Sequence, residues 1–287
     1  MKFSERIFIL CVSLLNPSHC LDCSFSASYP KHTVTYKLNT PIDIDGRLDE
    51  TAWTEVGWSD DFEDISTTEV PRLRTRMKMR WDDDWLYVAA ELEETEIWAN
   101  ITETCHCIND QQDQVIFHDN DFEVFIDVDG SNHNYKEFEI NAANQTWILM
   151  LNRPYGDGGE ENSSRVLGPH GYDMQPPLTC GVDIQPQEAL NNPAVPGRVW
   201  TVEVAMPMEK VLEHSLQPNR KPRHGDYWRI NFSRVEWRVK GKIFLDAIRS
   251  FCKRLSTASN RQLALVNLNE IGNFLKSCQN RVMMSFT

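Results

Sequence analysis

Two stretches of this 287-residue chain set carboxylates, an amide and aromatic rings on alternate positions. In 121–128 these are Asp121, Glu123, Phe125 and Asp127; in 135–142 they are Tyr135, Glu137, Glu139 and Asn141. A strand turns successive side chains to opposite faces, so each set shares a face, expected to meet solvent. The intervening Phe122, Val124, Ile126 and Val128, with Phe138 and Ile140, form the buried row. Rings beside carboxylate, amide and guanidinium groups suit a sugar. A pyranose offers an apolar C–H face for stacking and hydroxyls that demand planar donors and acceptors. A later stretch, 226–237, adds Tyr227, Arg229, Asn231 and Ser233 outside an apolar row of Trp228, Ile230 and Phe232. Arg229 and Asn141 are the expected donors to the sugar. An ordinary solvated sheet face carries the same groups, and periodicity alone favours that plainer reading.

Carboxylates on neighbouring strands also fit glycoside hydrolysis, where an acid and a base or nucleophile stand about 5–10 Å apart. Glu123 with Glu137 or Glu139 meets that need, so a glycoside hydrolase is the alternative to binding without catalysis. Asp127, Asp129 and Asn132 could supply oxygens to a loop-bound structural calcium. The EF-hand pattern itself fails, because Phe125 and Lys136 stand at its first and twelfth ligand positions. Cys105-His106-Cys107 lacks a second ligand pair at zinc-finger spacing. A haem-binding relative of the fold would need axial ligands such as Met150 and His133. No G-x-S-x-G, H-E-x-x-H, P-loop or G-x-G-x-x-G motif occurs, and no cofactor beyond calcium is expected.

The elements that must position these groups read as strands. From Arg72 to Trp81 the chain alternates, with Arg72, Arg74, Arg76, Lys78 and Arg80 facing outward and Leu73, Thr75, Met77, Met79 and Trp81 inward. Asp82-Asp83-Asp84 turns it into a second strand from Trp85 to Leu92, and both tryptophans are expected in the core. Asp129-Gly130 turns the 121–128 strand into the 135–142 strand. Further strands are expected over 145–151, 198–206 and 226–237, with helix over 48–53 and 207–214 and loops over 154–171, 174–197 and 217–225. Many strands and few helices predict an all-β fold, an antiparallel, jelly-roll-like β-sandwich. In 241–287, seven basic residues stand against two acidic ones, and Phe244, Ile248, Phe251 and Leu255 repeat at helical spacing. A divergent, basic and helical tail is expected there.

The net charge of −13 weighs against nucleic acid and anionic membrane surfaces as partners. No run of 18 apolar residues offers a membrane-spanning helix. The apolar run from Ile7 to Leu15 after a charged lead reads as a signal peptide over 1–20, hence a secreted, extracellular protein. Removing Cys11 and Cys20 leaves Cys23, Cys105, Cys107, Cys180, Cys252 and Cys278, a set expected to form disulfides of unspecified pairing. Asn100, Asn144, Asn162 and Asn231 begin glycosylation sequons, with Asn162 in the most polar stretch.

Three ordered blocks resemble family 9 carbohydrate-binding modules. IDIDGRLDETAW at 42–53 is similar to that family's opening "IDGxLDExxW", and MRWDDDWLYV at 79–88 to its "xxWDDxxLYV" hairpin. DNDFEVFID at 119–127 is similar to its "DxxEIFID" strand, and the wording FHDNDFEVFID and YKEFEIN resembles the secreted eukaryotic branch. The resemblance implies a jelly-roll-like sandwich over 28–240 that binds a neutral oligo- or polysaccharide between two rings, with structural calcium in some members. It implies that Glu123 accepts from a sugar hydroxyl and that Phe117 stands near the first aromatic wall, where the family uses tryptophan. Glu139 stands where an arginine can contact sugar, and the C-terminal stretch that supplies the second wall is not found. The tail is therefore expected to replace the family's last strand. A monomer with a carbohydrate partner and a place in carbohydrate catabolism completes this expectation.

Overall fold

The structure, a computed structural model, describes residues 31–65, 67, 69–102, 115–162, 172 and 178–237, with the backbone of 281–286. Twelve strands occur among the described residues: β1 Tyr36–Lys37, β2 Glu63–Asp64, β3 Thr75–Trp81, β4 Trp85–Glu93, β5 Asp121–Asp127 and β6 Tyr135–Asn141; then β7 Thr146–Leu151, β8 Glu161–Asn162, β9 Thr179–Gln185, β10 Val199–Pro207, β11 Arg229–Trp237 and β12 Arg281–Phe286. Two short helices occur: α1 Thr51–Thr54 overlaps the 48–53 stretch expected to be helical, and α2 Met208–Leu212 falls within 207–214. The strands form two sheets, in the orders β1-β3-β4-β10-β9 and β2-β12-β11-β5-β6-β7-β8. All pairings are antiparallel except β1 with β3. The fold is an all-β sandwich. Among the described residues, no helix is long and apolar enough to cross a membrane.

The alternation places the core between the sheets. Met77, Val88, Leu92, Trp200, Val202 and Val204 from the first sheet bury against Phe122, Val124, Ile126, Phe138, Ile140, Ile148 and Phe232 from the second. Each such side chain contributes about 1.5–3 kcal/mol by leaving water. The inner rows end in charge. Arg234, fully buried, donates to Glu94 at 2.8 Å, Glu236 at 2.5 Å and the Glu93 carbonyl at 2.8 Å. Lys136, four positions away along the β5 register, donates to the Asn134 carbonyl at 2.9 Å and to that of Glu213. Trp81 and Trp85 are half-buried, Trp81 against this core and Trp85 against a second cluster.

That second cluster covers the far face of the first sheet, where Leu38, Ala52 and Trp53 pack on Tyr87, Ala89 and Ala205. Two side chains fasten it. Glu203 on β10 accepts from Asp45 N at 3.0 Å, Gly46 N at 2.8 Å and Trp53 Nε1 at 2.6 Å. Arg80, expected outward, is instead 2% exposed and donates to the carbonyls of Tyr36, Lys37 and Ala52 and to Glu55. The cover over this face gives its guanidinium carbonyl partners, which removes the cost of burial. Gly46, at φ +92°, passes so close to β9 that a Cβ would sit 2.4 Å from the Val182 carbonyl carbon.

Two expectations need correction. The stretch 174–197 is not all loop: Thr179–Gln185 pairs with β10 from Thr179↔Ala205 to Gln185↔Val199. Its alternation was hidden by the prolines on either side. The helical spacing at 244–255 lies outside the described residues, whereas 281–286 is a strand rather than helix, pairing with β11 from Phe232↔Phe286 to Trp237↔Arg281.

Replacing Glu203 by alanine leaves three buried or half-buried N–H groups without their acceptor. Chemical denaturation should show a loss of about 3 kcal/mol or more; a loss below about 1 kcal/mol would mean that the Glu203 contacts do not fasten this cluster.

Candidate functional site

The register of the second sheet brings the expected residues together on its outer face. Across β11, β5, β6 and β7 the rows run Ser233, Glu123, Glu139, Trp147; then Asn231, Phe125, Glu137, Leu149; beyond them Arg229 pairs with Asp127, and Tyr135 with Leu151. Asp121 faces Val235 on one side and Asn141 on the other. The sequence pattern therefore assigns these residues to one surface, and the structure shares that assignment.

Their exposure is a different matter. Asp121, Glu123, Glu137, Glu139 and Asn141 are 0–4% exposed, where solvent contact was expected. Ile116, with half-buried Ile101, Val115 and Phe117, clusters with the face's own Trp147, Leu149, Leu151 and Tyr135. Every strand position of β7 is buried, on both faces. The 3-10 turn Ile116–His118 and the turn Tyr155–Asp157 hold part of the cover in place. Phe117 N donates to Glu139 at 3.0 Å, and Tyr155 Oη donates to Glu137 at 3.1 Å. Ser233 Oγ donates to Glu123, and Val235 N to Asp121 at 3.2 Å. Asp119 accepts from Asn100 N at 2.9 Å and Ile101 N at 2.8 Å.

Each sequence-predicted residue takes a distinct place. Phe117 stacks at a tilt on Trp147, with ring centroids 5.9 Å apart, and its carbonyl accepts from Trp237 Nε1 at 3.0 Å. Phe125 and Tyr135 are half-buried. Asn141, expected as a donor to ligand, is used inside the chain: it donates to the Ile101 carbonyl and Asp119, and accepts from Ala143 N and Gln145 N. Arg229 is exposed and turns to the β5–β6 loop, donating to the Gly130 carbonyl at 3.1 Å and to Asn132 at 3.4 Å. Tyr155, which lies in a stretch read only as loop, is 55% exposed directly beside the carboxylates. The available signal was an aromatic residue in a Gly-rich connection leaving β7. Met150 faces the core while His133 sits on the exposed loop, so the two are not brought together as axial ligands.

In the loop expected to hold calcium, the carboxylates accept the loop's own hydrogen bonds. Asp127 accepts from Gly130 N and Asn132 N, and Asp129 from Ser131 N at 2.9 Å and Leu216 N at 2.7 Å. These carboxylates fold the loop around backbone donors. Burial pushes Asp129 up, but the hydrogen bonds from Ser131 and Leu216 outweigh it and hold the group below its ordinary range. Among the described residues, the carboxylates whose oxygens lie within 4.8 Å of one another are elsewhere: Asp45, Glu50 and Glu203, and Asp121, Glu123 and Glu139. The first set centres on the structural acceptor Glu203. The second is the acidic face itself, where a hard cation or shared protons would cancel the same repulsion. Of the sequon asparagines, Asn100 is exposed and Asn144, Asn162 and Asn231 are half-buried.

Electrostatics follow from crowding carboxylates out of water. Burial, then the Glu123 charge, pushes Glu137 up to about 7. Burial, then Asp121 and Glu123, raises Glu139 well above the carboxylate range. Burial and Glu137 likewise raise the Tyr155 phenol, so it remains a hydrogen-bond donor at neutral pH.

Residues 44–164 match the family model for carbohydrate family 9 binding domain-like domains. The matched stretch, less than half of this chain, is similar to that family's domain. Two solved family 9 modules from Caldicellulosiruptor kristjanssonii are similar to it. The first, in complex with glucose, is 17% identical, with 70% of this chain and 77% of that chain covered and a TM-score of 0.41. The second, in complex with cellotriose, is 17% identical, with coverage of 70% and 76% and a TM-score of 0.43. Comparison with curated proteins gives no match.

The buried carboxylates of this domain fix a sign for its pH dependence. Glu137 at about 7 stands above its ordinary 4.5, so the folded state holds a proton that the unfolded chain releases between those values. The associated stability is full below about pH 4.5 and lost as pH rises through about 7. Glu203 and Glu236, each also raised to about 7 mainly by burial, act in the same direction. The melting temperature should therefore fall between about pH 5 and pH 8, and Glu137→Gln should flatten part of that fall. A variant with the wild-type slope would exclude Glu137 as a contributor.

Proposed function

We propose that this protein binds a neutral oligo- or polysaccharide, without catalysis, at the rings that lie over the outer face of the second sheet. The observation that carries the reading is the family match, because residues 44–164 include Phe117, Glu123, Phe125, Tyr135, Glu137 and Tyr155. Half-buried Phe117, Phe125 and Tyr135 and exposed Tyr155 offer ring surface to a pyranose C–H face. Glu137 orients the Tyr155 hydroxyl, and the ring is thereby set before ligand arrives. Glu123 and its neighbours shape this surface from below. Arg229, at the margin, remains a polar group that a longer ligand would meet.

The hydrolase reading has one observation in its favour: a buried Glu137 raised to about 7 beside Glu123 is the pattern of a general acid next to a second carboxylate. Against it, a general acid must reach the glycosidic oxygen, and Glu137 is 4% exposed. Secretion is part of the proposal. Disulfide-bonded Cys180, the apolar run at 7–15 and the exposed sequon asparagine Asn100 support an oxidising, glycosylating route. A monomer is part of the same proposal.

Calorimetry with cellotriose and a glycan array on secreted protein test the proposal. Wild type should bind at least one neutral saccharide, and Tyr155→Ala or Phe125→Ala should weaken it tenfold or more, about 1.4 kcal/mol. Asn100→Gln should leave affinity unchanged, and no reducing sugar should be released. Folded protein that binds no neutral saccharide would overturn the binding reading. Sugar release abolished by Glu137→Gln would replace it with hydrolysis.

A further inference from the structure

A second surface of the protein combines cations with an aromatic ring far from the acidic face in the sheet order. An open groove of about 920 Å³ lies between the 217–224 loop, Lys37 on β1 and Trp81 at the end of β3. Its lining holds Lys37, Arg220, Lys221, Arg223 and His224 against one carboxylate, Asp83, in a chain whose net charge is −13. Such a concentration of basic groups opposes the overall field and requires a local explanation. Trp81 and two prolines, Pro218 and Pro222, supply the apolar part of the wall.

The cations differ in commitment. Lys37 pairs with Asp83 at 2.5 Å while its ammonium sits 5.3 Å from the Trp81 ring centroid, Lys221 pairs with Asp84 at 3.1 Å, and Arg220 pairs with Asp226. All three pairs are solvated, and pairs of this kind contribute little, so an incoming anion competes with them at small cost. Arg223 and His224, both exposed, make no ion pair among the described residues. The Arg223 backbone is fixed by its N–H to Asp226 at 2.9 Å, and Asp226 N returns a bond to the Arg223 carbonyl at 3.0 Å. A rigid turn thus presents a guanidinium and an imidazole beside a ring, with two further cations flanking them.

We propose that this groove is an anion-selective saccharide subsite, taking a sulfated or uronate-bearing sugar unit. The guanidinium of Arg223 matches a sulfate or carboxylate in a two-pronged contact. Trp81 and the prolines meet the apolar face of the sugar ring. An aromatic and apolar wall beside the cations favours a saccharide over a bare polyphosphate, which has no surface to match it. The subsite shares no residue with the outer face of the second sheet, so it stands or falls independently of the neutral-sugar reading.

The probe is a heparin-derived hexasaccharide, measured by calorimetry on the full chain at about 50 and 150 mM salt, with cellotriose and a single-stranded oligonucleotide of equal charge as comparators. The hexasaccharide should bind, more weakly at the higher salt as screening predicts. Arg223→Glu with His224→Ala should weaken it at least tenfold. Both side chains are exposed, and an unchanged melting temperature would confirm that this variant folds. Tyr155→Ala should leave hexasaccharide binding intact, separating the groove from the outer face. No binding by folded wild type, or affinity unchanged in the double variant, would overturn the proposal. Equal binding of the oligonucleotide would overturn its saccharide selectivity and leave a general polyanion surface.

Discussion

The centre of the second sheet, β5 to β7, is largely buried on both faces, and most of what is unusual in this protein follows from that constraint. Its inner face meets the first sheet through Phe122, Val124, Phe138 and Ile148, and its outer face lies under Ile116, Phe117 and their neighbours. A sheet with one wet face hydrates its polar row. Here the polar row must find partners within the protein, because an unsatisfied buried acceptor costs about 1–3 kcal/mol. The cover supplies them: Phe117 N for Glu139, Tyr155 Oη for Glu137, Asn100 N and Ile101 N for Asp119. The acidic face and the segments above it are consequently one interlocked unit, in which each carboxylate anchors a piece of chain that excludes water from the next.

How far the sequence revealed this depends on which interactions are local. Period-two alternation at 75–81, 121–127 and 135–141 identifies strands and sorts their faces correctly, since pleating alone dictates both. The Asp-Gly turn follows from the same local chemistry, with Gly130 at φ +70°. Exposure is not local. Whether Glu139 meets water is decided by the turn at 116–118, and whether Arg80 does by the segment 36–55, and no spacing within β3 or β6 carries that information. The strand at 179–185 was illegible for another reason: its pairing partner is β10, more than a dozen residues on, and proline on both sides imitates a loop. Tyr155 shows the limit most clearly, because its role arises from one hydrogen bond across 18 residues.

The sequence blocks that resemble the family divide between two tasks. The opening block at 42–53 belongs to the first sheet: its Asp45, Gly46 and Trp53 converge on Glu203, and Gly46 is required by a close approach of β9 at positive φ. None of these residues belongs to the acidic face. Their recurrence in a motif is explained by docking a coil onto a sheet, which needs a turn without a side chain, a ring to bury and a buried acceptor to hold both. The 119–127 block belongs to the second sheet and carries the groups with ligand chemistry. A motif match therefore speaks to the cover of the first sheet through one block and to the outer face of the second through the other.

Burial of the carboxylates changes what recognition would demand of them. A carboxylate that contacts sugar directly must lose its water on binding, a cost set against the hydrogen bonds it gains. Glu137 has already lost that water in the folded chain, and its hydrogen bond goes to Tyr155, so the ring rather than the acid faces outward. The binding surface then gains from order fixed in advance instead of from charge. Such a surface would suit a neutral ligand: crowded acids beneath the rings would repel an anion, and the raised proton affinity of Glu137 and Glu139 lowers the field that a neutral sugar would enter. The basic groove beside Trp81 has the opposite arrangement, with charge at the surface and the ring behind it. The two surfaces are thus built in inverted order, rings over buried acids on one and exposed cations over a ring on the other, so ligands of different charge would distinguish them.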